Sequence, residues 1–273
     1  MNFFRVAKEE FVAVVTFSRS PANALVSTVL KELSNLLDEL ETDPDVRVVL
    51  LHGEGRFFSA GADIKEFTSI ASVEEASGLS RNGQLVMERI ERFSKPVIAA
   101  IHGAALGGGL ELAMSCHIRV VAENAKLSLP ELQLGLIPGF AGTHRLVRYV
   151  GFGKAPEMMW TSEPITGLEA VEWGLANKAV PEERLLDEAK ALAKKIAAKS
   201  PLSVRAVIEL LNAAKEKTFV EAVREEAEWF GRVFGSEDAK EGVQAFLEKQ
   251  PPVFNIFPKE VSQVGDEFRL GIA

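Results

Sequence analysis

The sequence predicts an α/β core followed by an all-helical module, and three observations carry that expectation. Short β-branched and aromatic runs alternate with stretches of helical periodicity through the first half of the 273 residues, the pattern of strands layered against helices. Beyond about Pro181 the strand pattern stops and amphipathic segments follow one another. Glycine gathers in a few clusters between apolar runs, which marks places where main chain approaches something closely. With 47% hydrophobic and 26% charged residues the chain can bury a core.

Taken in order, residues 11–17 (FVAVVTF) read as a strand. Residues 27–41 read as a helix, because Val29, Leu30, Leu33, Leu36, Leu37 and Leu40 form one stripe; Asp43-Pro44 stops it. Residues 46–51 (VRVVLL), 96–101 (PVIAAI) and 118–122 (IRVVA) supply three more strands, with a polar-faced helix over residues 72–93 before Lys95-Pro96. Four helices are expected at residues 182–198, 202–215, 219–234 and 237–249, punctuated by Ser200-Pro201 and Gly235-Ser236. Residues 255–273 have no clear period and are expected to be a peripheral tail.

Charge and cysteine content narrow the function. Lys+Arg 31 against Asp+Glu 39 leaves a net charge of -8 with no basic block, so no nucleic-acid partner is expected. The single cysteine, Cys116, allows neither an intrachain disulfide nor a four-cysteine zinc site. The longest uncharged run, residues 96–110, falls short of the roughly 20 residues a bilayer crossing takes. Lys8, Glu9 and Glu10 stand where a signal peptide needs an apolar stretch. The expectation is a soluble cytoplasmic protein with no membrane partner.

Four segments concentrate the chemistry: residues 58–65 (FSAGADIK), 103–111 (GAALGGGLE), 129–131 (LPE) and 135–146 (GLIPGFAGTHRL). Gly107-Gly108-Gly109 precedes Leu110-Glu111-Leu112-Ala113-Met114, a helix by pattern. Unpaired N–H groups at a helix start, with glycine admitting close approach, suit a developing oxyanion. Glu111 shares the first turn with Gly108, among apolar neighbours; a glutamate capping its own helix explains it equally well. Glu131 is a second acid in an apolar setting, and two acids brought together would supply proton donor and acceptor. Taken singly, Glu131 reads more readily as a surface glutamate. His52, His102, His117 and His144 lack metal-ligand spacing, Cys116 reads as buried and inert, and neither a dinucleotide fingerprint nor a phosphate loop is present.

Together these segments resemble the crotonase superfamily, most nearly its enoyl-CoA hydratases. The resemblance spans residues 1 to about 254, with the segments in the family's order and separation. It implies a spiral of repeated ββα units over residues 1–200, a helical trimerisation module over residues 201–254, and assembly as a homotrimer or dimer of trimers. It implies an oxyanion hole from the N–H groups of Ala62 and Gly108, and Glu111 and Glu131 as the catalytic pair. It further implies acyl-CoA contacts at Ala24, Ala60, Asp63, Ile64 and Lys65, a glycine near the water at Gly139, and a C-terminal pair, Phe246 and Lys249, reaching coenzyme A from a neighbouring subunit. No metal or cofactor is expected, coenzyme A entering as part of the substrate. The implied reaction is hydration of a trans-2-enoyl-CoA in fatty-acid β-oxidation. An enoyl-CoA isomerase, which needs one glutamate, a branched-chain methylglutaconyl-type hydratase, and a non-catalytic acyl-CoA-binding protein are the competing readings. If Gly108 alone supplies the second donor, Gly109→Ala is expected to cost less activity than Gly108→Val, which is expected to abolish it in a folded protein.

Overall fold

The computed structural model describes residues 1–254; the expected tail at 255–273 falls outside the described residues. In chain order the strands are β1 (Phe4–Glu9), β2 (Val12–Phe17), β3 (Val48–Gly53), β4 (Val97–Ile101), β5 (Ala104–Leu106), β6 (Ile118–Ala122), β7 (Lys126–Ser128), β8 (Ile165–Thr166) and β9 (Lys178–Val180). The helices are α1 (Ser27–Thr42), α2 (Ile64–Phe67), α3 (Val73–Glu91), α4 (Gly108–Ser115), α5 (Gly142–Thr161), α6 (Gly167–Glu172), α7 (Leu185–Ala197), α8 (Pro201–Glu216), α9 (Phe219–Phe234) and α10 (Glu237–Glu248).

Among the described residues two sheets result, ordered β1-β2-β3-β4-β6-β9 and β5-β7-β8. Only β1 joins the larger sheet antiparallel; every other pairing in it is parallel. A parallel sheet is covered on both faces, so its strands are continuous apolar runs. That is what β4 (VIAAI, buried throughout) and β3 (VVLL) show, with Leu50 opposite Ile98 and Ile98 opposite Ile118. The spiral follows from the order of elements. After β4 the chain adds β5 to the small sheet and then α4; after β6 it adds β7 and then α5. The turn after β3 contributes only Ser59, which bridges Ala105 of β5 before α2 and α3.

The expected strands at residues 11–17, 46–51, 96–101 and 118–122 correspond to β2, β3, β4 and β6. The helices expected at 27–41 and 72–93 correspond to α1 and α3, the latter capped by Ser72, whose Oγ accepts from Glu75 N–H. The four C-terminal helices are α7 to α10; the first opens with a separate 3₁₀ turn, Glu182–Arg184. Strands β1, β5, β7, β8 and β9 and helices α2, α5 and α6 are additions that the sequence reading lacks. Among the described residues no helix is long and apolar enough to cross a membrane.

Helix α4 is the central element: all eight of its residues are buried, Glu111 included. It packs against α3 and α5 and takes its start from the small sheet. The core cluster runs from Phe4 through the large sheet to Ala197, so α8 to α10 lie beyond it.

Candidate active site

Three chain segments converge at the start of α4. The first, residues 58–63, is stitched to β5 as a short extra strand. Ser59 N–H donates to Ala104 O at 3.2 Å, Leu106 N–H donates to Ser59 O at 3.0 Å, and Phe58 N–H donates to His102 O at 3.3 Å. On its other side Ala60 N–H donates to Ala22 O, Leu25 N–H to Gly61 O and Asp63 N–H to Leu25 O. Gly61 (φ +92°) lies so close that a Cβ there would stand 2.6 Å from Leu106 O and 3.2 Å from Gly108 N. Residue 61 thus abuts the first N–H of α4. Neither Ala62 N–H nor Gly108 N–H reaches a protein acceptor among the described residues.

The second segment brings the acid Glu131. Gly107 N–H donates to Ser128 O of β7 at 2.9 Å, which seats residues 129–131 beside the helix start. A Cβ on Gly107 would lie 2.9 Å from Glu131 Oε1. Glu131 Oε2 is buried with no hydrogen-bond partner, and burial pushes its carboxyl above the ordinary value.

The third segment holds Glu111, which is only 1% exposed. Its Oε1 accepts from Phe140 N–H at 2.8 Å and Gly142 N–H at 2.7 Å, and Oε2 makes no protein hydrogen bond. Burial, and after it the charge of Glu131, push the Glu111 carboxyl up to about 7 against the two N–H groups that favour ionisation. A carboxyl that titrates near neutrality is matched to giving and taking protons there. The structure therefore brings together Ala62, the α4 pair Gly108 and Glu111, and Glu131, which lie on three separate stretches of sequence.

The remaining expected site residues have other placements. Ala24 and Ala60 lie on the two hydrogen-bonded loops beside Gly61. Asp63 is paired with Arg19 at 2.9 Å and caps α2 by accepting from Lys65 N–H. Ile64 (54% exposed) and Lys65 open to solvent on α2. Gly139 offers its carbonyl to Ser80 and Gln84 of α3. Phe246, 82% exposed, and Lys249 close α10 in the helical module. Among the described residues no group of three or more His, Cys, Asp or Glu could hold a metal ion. Cys116 is 1% exposed, and burial pushes its thiol up to about 12. Three residues to which the sequence reading gives no individual role matter as well. Asn23, buried, donates to Glu54 O and Phe57 O and accepts from Arg19 N–H. Phe140 fills the space between Gly83 and Gly108, and Arg145 grips Phe140 O.

The arrangement defines a class: a buried acid pair beside two unengaged main-chain donors, fitted to carbonyl polarisation coupled to proton transfer at carbon. The family described as enoyl-CoA hydratase/isomerase matches residues 7–256. A probable enoyl-CoA hydratase of Bacillus subtilis is 58% identical over 255 residues, 93% of this chain and 99% of that one. A short-chain-enoyl-CoA hydratase of Clostridium acetobutylicum is 42% identical, covering 92% and 96% of the two chains. The crystal structure of an enoyl-CoA hydratase from Bacillus anthracis superposes with a TM-score of 0.88 at 36% identity, over 92% of this chain and 98% of that one. The chain belongs to the enoyl-CoA hydratase/isomerase family of the crotonase superfamily.

Steric surroundings weigh against the expectation that Gly109→Ala is mild. A Cβ on Gly109 would stand 2.4 Å from Ser59 O, main chain that the small sheet holds fixed. On Gly108 it would meet the Phe140 ring at 3.2 Å and Leu25 Cδ1 at 3.4 Å, side-chain contacts that ask for a shift of only a few tenths of an ångström. Gly109, not Gly108, is the less tolerant position. Gly109→Ala is expected to cost about 3 kcal/mol or more of stability through overpacking, whereas Gly108→Ala keeps the fold; thermal denaturation of the two variants checks the order.

The Glu111 carboxyl also sets a pH dependence. Its folded value, about 7, exceeds the ordinary 4.5, so the folded state binds more protons between those values. Wild-type stability should therefore fall relative to Glu111→Gln as pH rises from 4.5 to about 7, and the gap should stay constant above. Melting temperatures of both proteins across pH 4–8 (a range of about four units) measure it; a gap independent of pH would refute the buried-acid assignment.

Proposed function

We propose that the chain hydrates a trans-2-enoyl-CoA to the 3-hydroxyacyl-CoA, as a cytoplasmic enzyme of fatty-acid β-oxidation. The observation that carries this reading is the meeting of Glu111 and Glu131 with the unengaged N–H groups of Ala62 and Gly108 at one helix start. The names of the relatives support the same reading.

The thioester oxygen accepts from Ala62 N–H and Gly108 N–H, so negative charge can develop on it as a thioester enolate. Glu111, with Oε1 tied to Phe140 and Gly142, keeps Oε2 free to hold a water and take its proton. The water oxygen bonds to C3, and the electron pair of the double bond shifts toward C2 and the thioester. Glu131 delivers a proton to C2 from its unpartnered oxygen, and the proton taken by Glu111 restores the pair between turnovers. In this reading the thioester is the electron sink. The loop from Ala60 through Ile64 to Lys65, with Ala24 behind it, borders the coenzyme A moiety, and Gly139 adjoins the water.

Glu111→Gln and Glu131→Gln are each expected to lower turnover of crotonyl-CoA by about 10²–10⁴-fold while acyl-CoA binding survives. Loss of the enoyl thioester absorbance follows the reaction. Near-normal turnover in either variant sinks the paired-acid mechanism, and a double-bond shift retained in Glu111→Gln would point to an isomerase.

We also read α8 to α10 as the trimer interface, so that Phe246 and Lys249 serve a neighbouring subunit's site. These helices expose Val207 (54%), Leu211 (61%), Phe219 (83%), Val223 (45%) and Phe230 (71%), although Ile208, on the same amphipathic pattern, is buried within the chain. Apolar surface of that extent marks association. Sedimentation is expected to give a trimer or a dimer of trimers; a stable active monomer at micromolar concentration would refute it.

A further inference from the structure

The turn that feeds Glu111 its two donors is itself under constraint. Ala141, between Phe140 and Gly142, has φ +71° and ψ +22°, a left-handed conformation that a residue with a Cβ adopts only when its surroundings hold it. The surroundings here are specific. Gly139 O is held by Ser80 Oγ and Gln84 Nε2 of α3. Phe140 O accepts from Arg145 Nη1 at 2.7 Å. Arg145, 4% exposed, turns the rest of its fork away from the turn: Nε and Nη2 donate to Glu91 Oε2 at 3.1 and 3.0 Å.

Glu91 is the last residue of α3 and a junction between the core and the helical module. Its other oxygen accepts from Lys215 Nζ of α8 at 2.6 Å and faces Arg148 of α5 at 3.7 Å. Its main-chain oxygen accepts from Asn212 Nδ2, and Lys215 donates to Asn212 Oδ1. An unbroken series of hydrogen bonds thus runs from α8 through Glu91 and Arg145 to Phe140, whose N–H ends on Glu111.

We propose that Arg145, held by Glu91, is a positioning residue for Glu111: it fixes the residue 140–142 turn so that both N–H groups meet Oε1 and leave Oε2 to the water. The proposal rests on the hydratase reading. A guanidinium is fitted to the role because its planar fork grips a carboxylate and a carbonyl at fixed angles, which an ammonium cannot do. Its charge acts alongside its shape. Glu111 is faced by the carboxyl of Glu131 and by Arg145, and the cation favours the ionised form. Arg145 is in turn faced by Glu91, with Arg148 and Lys215 beyond it.

Two variants separate shape from charge. Arg145→Lys keeps the charge and loses the fork, so kcat for crotonyl-CoA should drop by about 10²-fold, as for an active-site group displaced by about an ångström, with KM and the pH profile little changed. Arg145→Gln loses both, so kcat should fall at least as far, and the acidic limb of its pH profile should move to higher pH. Circular dichroism and binding of saturated butyryl-CoA report whether each variant is folded and its site intact. Wild-type kcat in folded Arg145→Lys, or a loss of kcat matched by an equal loss of butyryl-CoA binding, overturns the proposal. Should Arg145→Gln fail to fold, Arg145→Lys alone decides by its split between kcat and KM. Failure of the hydratase reading is distinct, because the wild type would then leave crotonyl-CoA unchanged.

Discussion

A carboxyl group buried on the first turn of α4, with one oxygen fed by two main-chain N–H groups, is the interaction around which this molecule is arranged. Burying an acid is costly unless it is neutralised or hydrogen-bonded. The chain meets that cost partly through the Phe140 and Gly142 donors and partly by letting the group titrate near neutrality. Each requirement recruits further structure. The donors need a left-handed Ala141; Ala141 needs its neighbours' carbonyls held by α3 and α5; and α4 needs the small sheet to set its start.

The same economy appears where the three segments meet. Residues 58–61 have no strand of their own, yet they borrow β5 as a template and so carry Ala62 to the helix start. Close packing there is between main chains, which is why Gly61 and Gly109 each face a carbonyl oxygen. Function and stability are hard to separate at such positions: the contact that locates a donor also closes the core.

How much of this was legible in the sequence depended on length and periodicity. Strands β2, β3, β4 and β6 are apolar runs of five or six residues, and α1 repeats its leucines on one stripe, so each announces itself. Strands β5, β7, β8 and β9 are two or three residues long, too short for any period to register. Helix α5 is hidden by its own composition, with Gly151 non-helical inside it and Pro156 further on. Within the site, Glu111 and Glu131 stood out as acids among apolar residues, but their meeting depends on β7 returning alongside Gly107, a long-range fact. Arg145 gave no signal of its own, since a single arginine in a glycine-rich segment reads as a solvated one. The resemblance to a known family supplied what spacing could not.

The two N–H groups proposed to hold the oxyanion belong to the peptide backbone, and that has a genetic consequence. An N–H group is present whichever codon stands at position 62, so no single nucleotide change can delete it except one that writes proline. The two acids have no such shelter, since one altered base turns either glutamate codon into one for glutamine or lysine. On the proposed mechanism, descendants of this gene that shed the activity should therefore carry their first scars at positions 111 and 131, while the proposed cradle for the thioester oxygen outlasts them. A lineage could in that way pass from turning its ligand over to merely holding it, without rebuilding the fold.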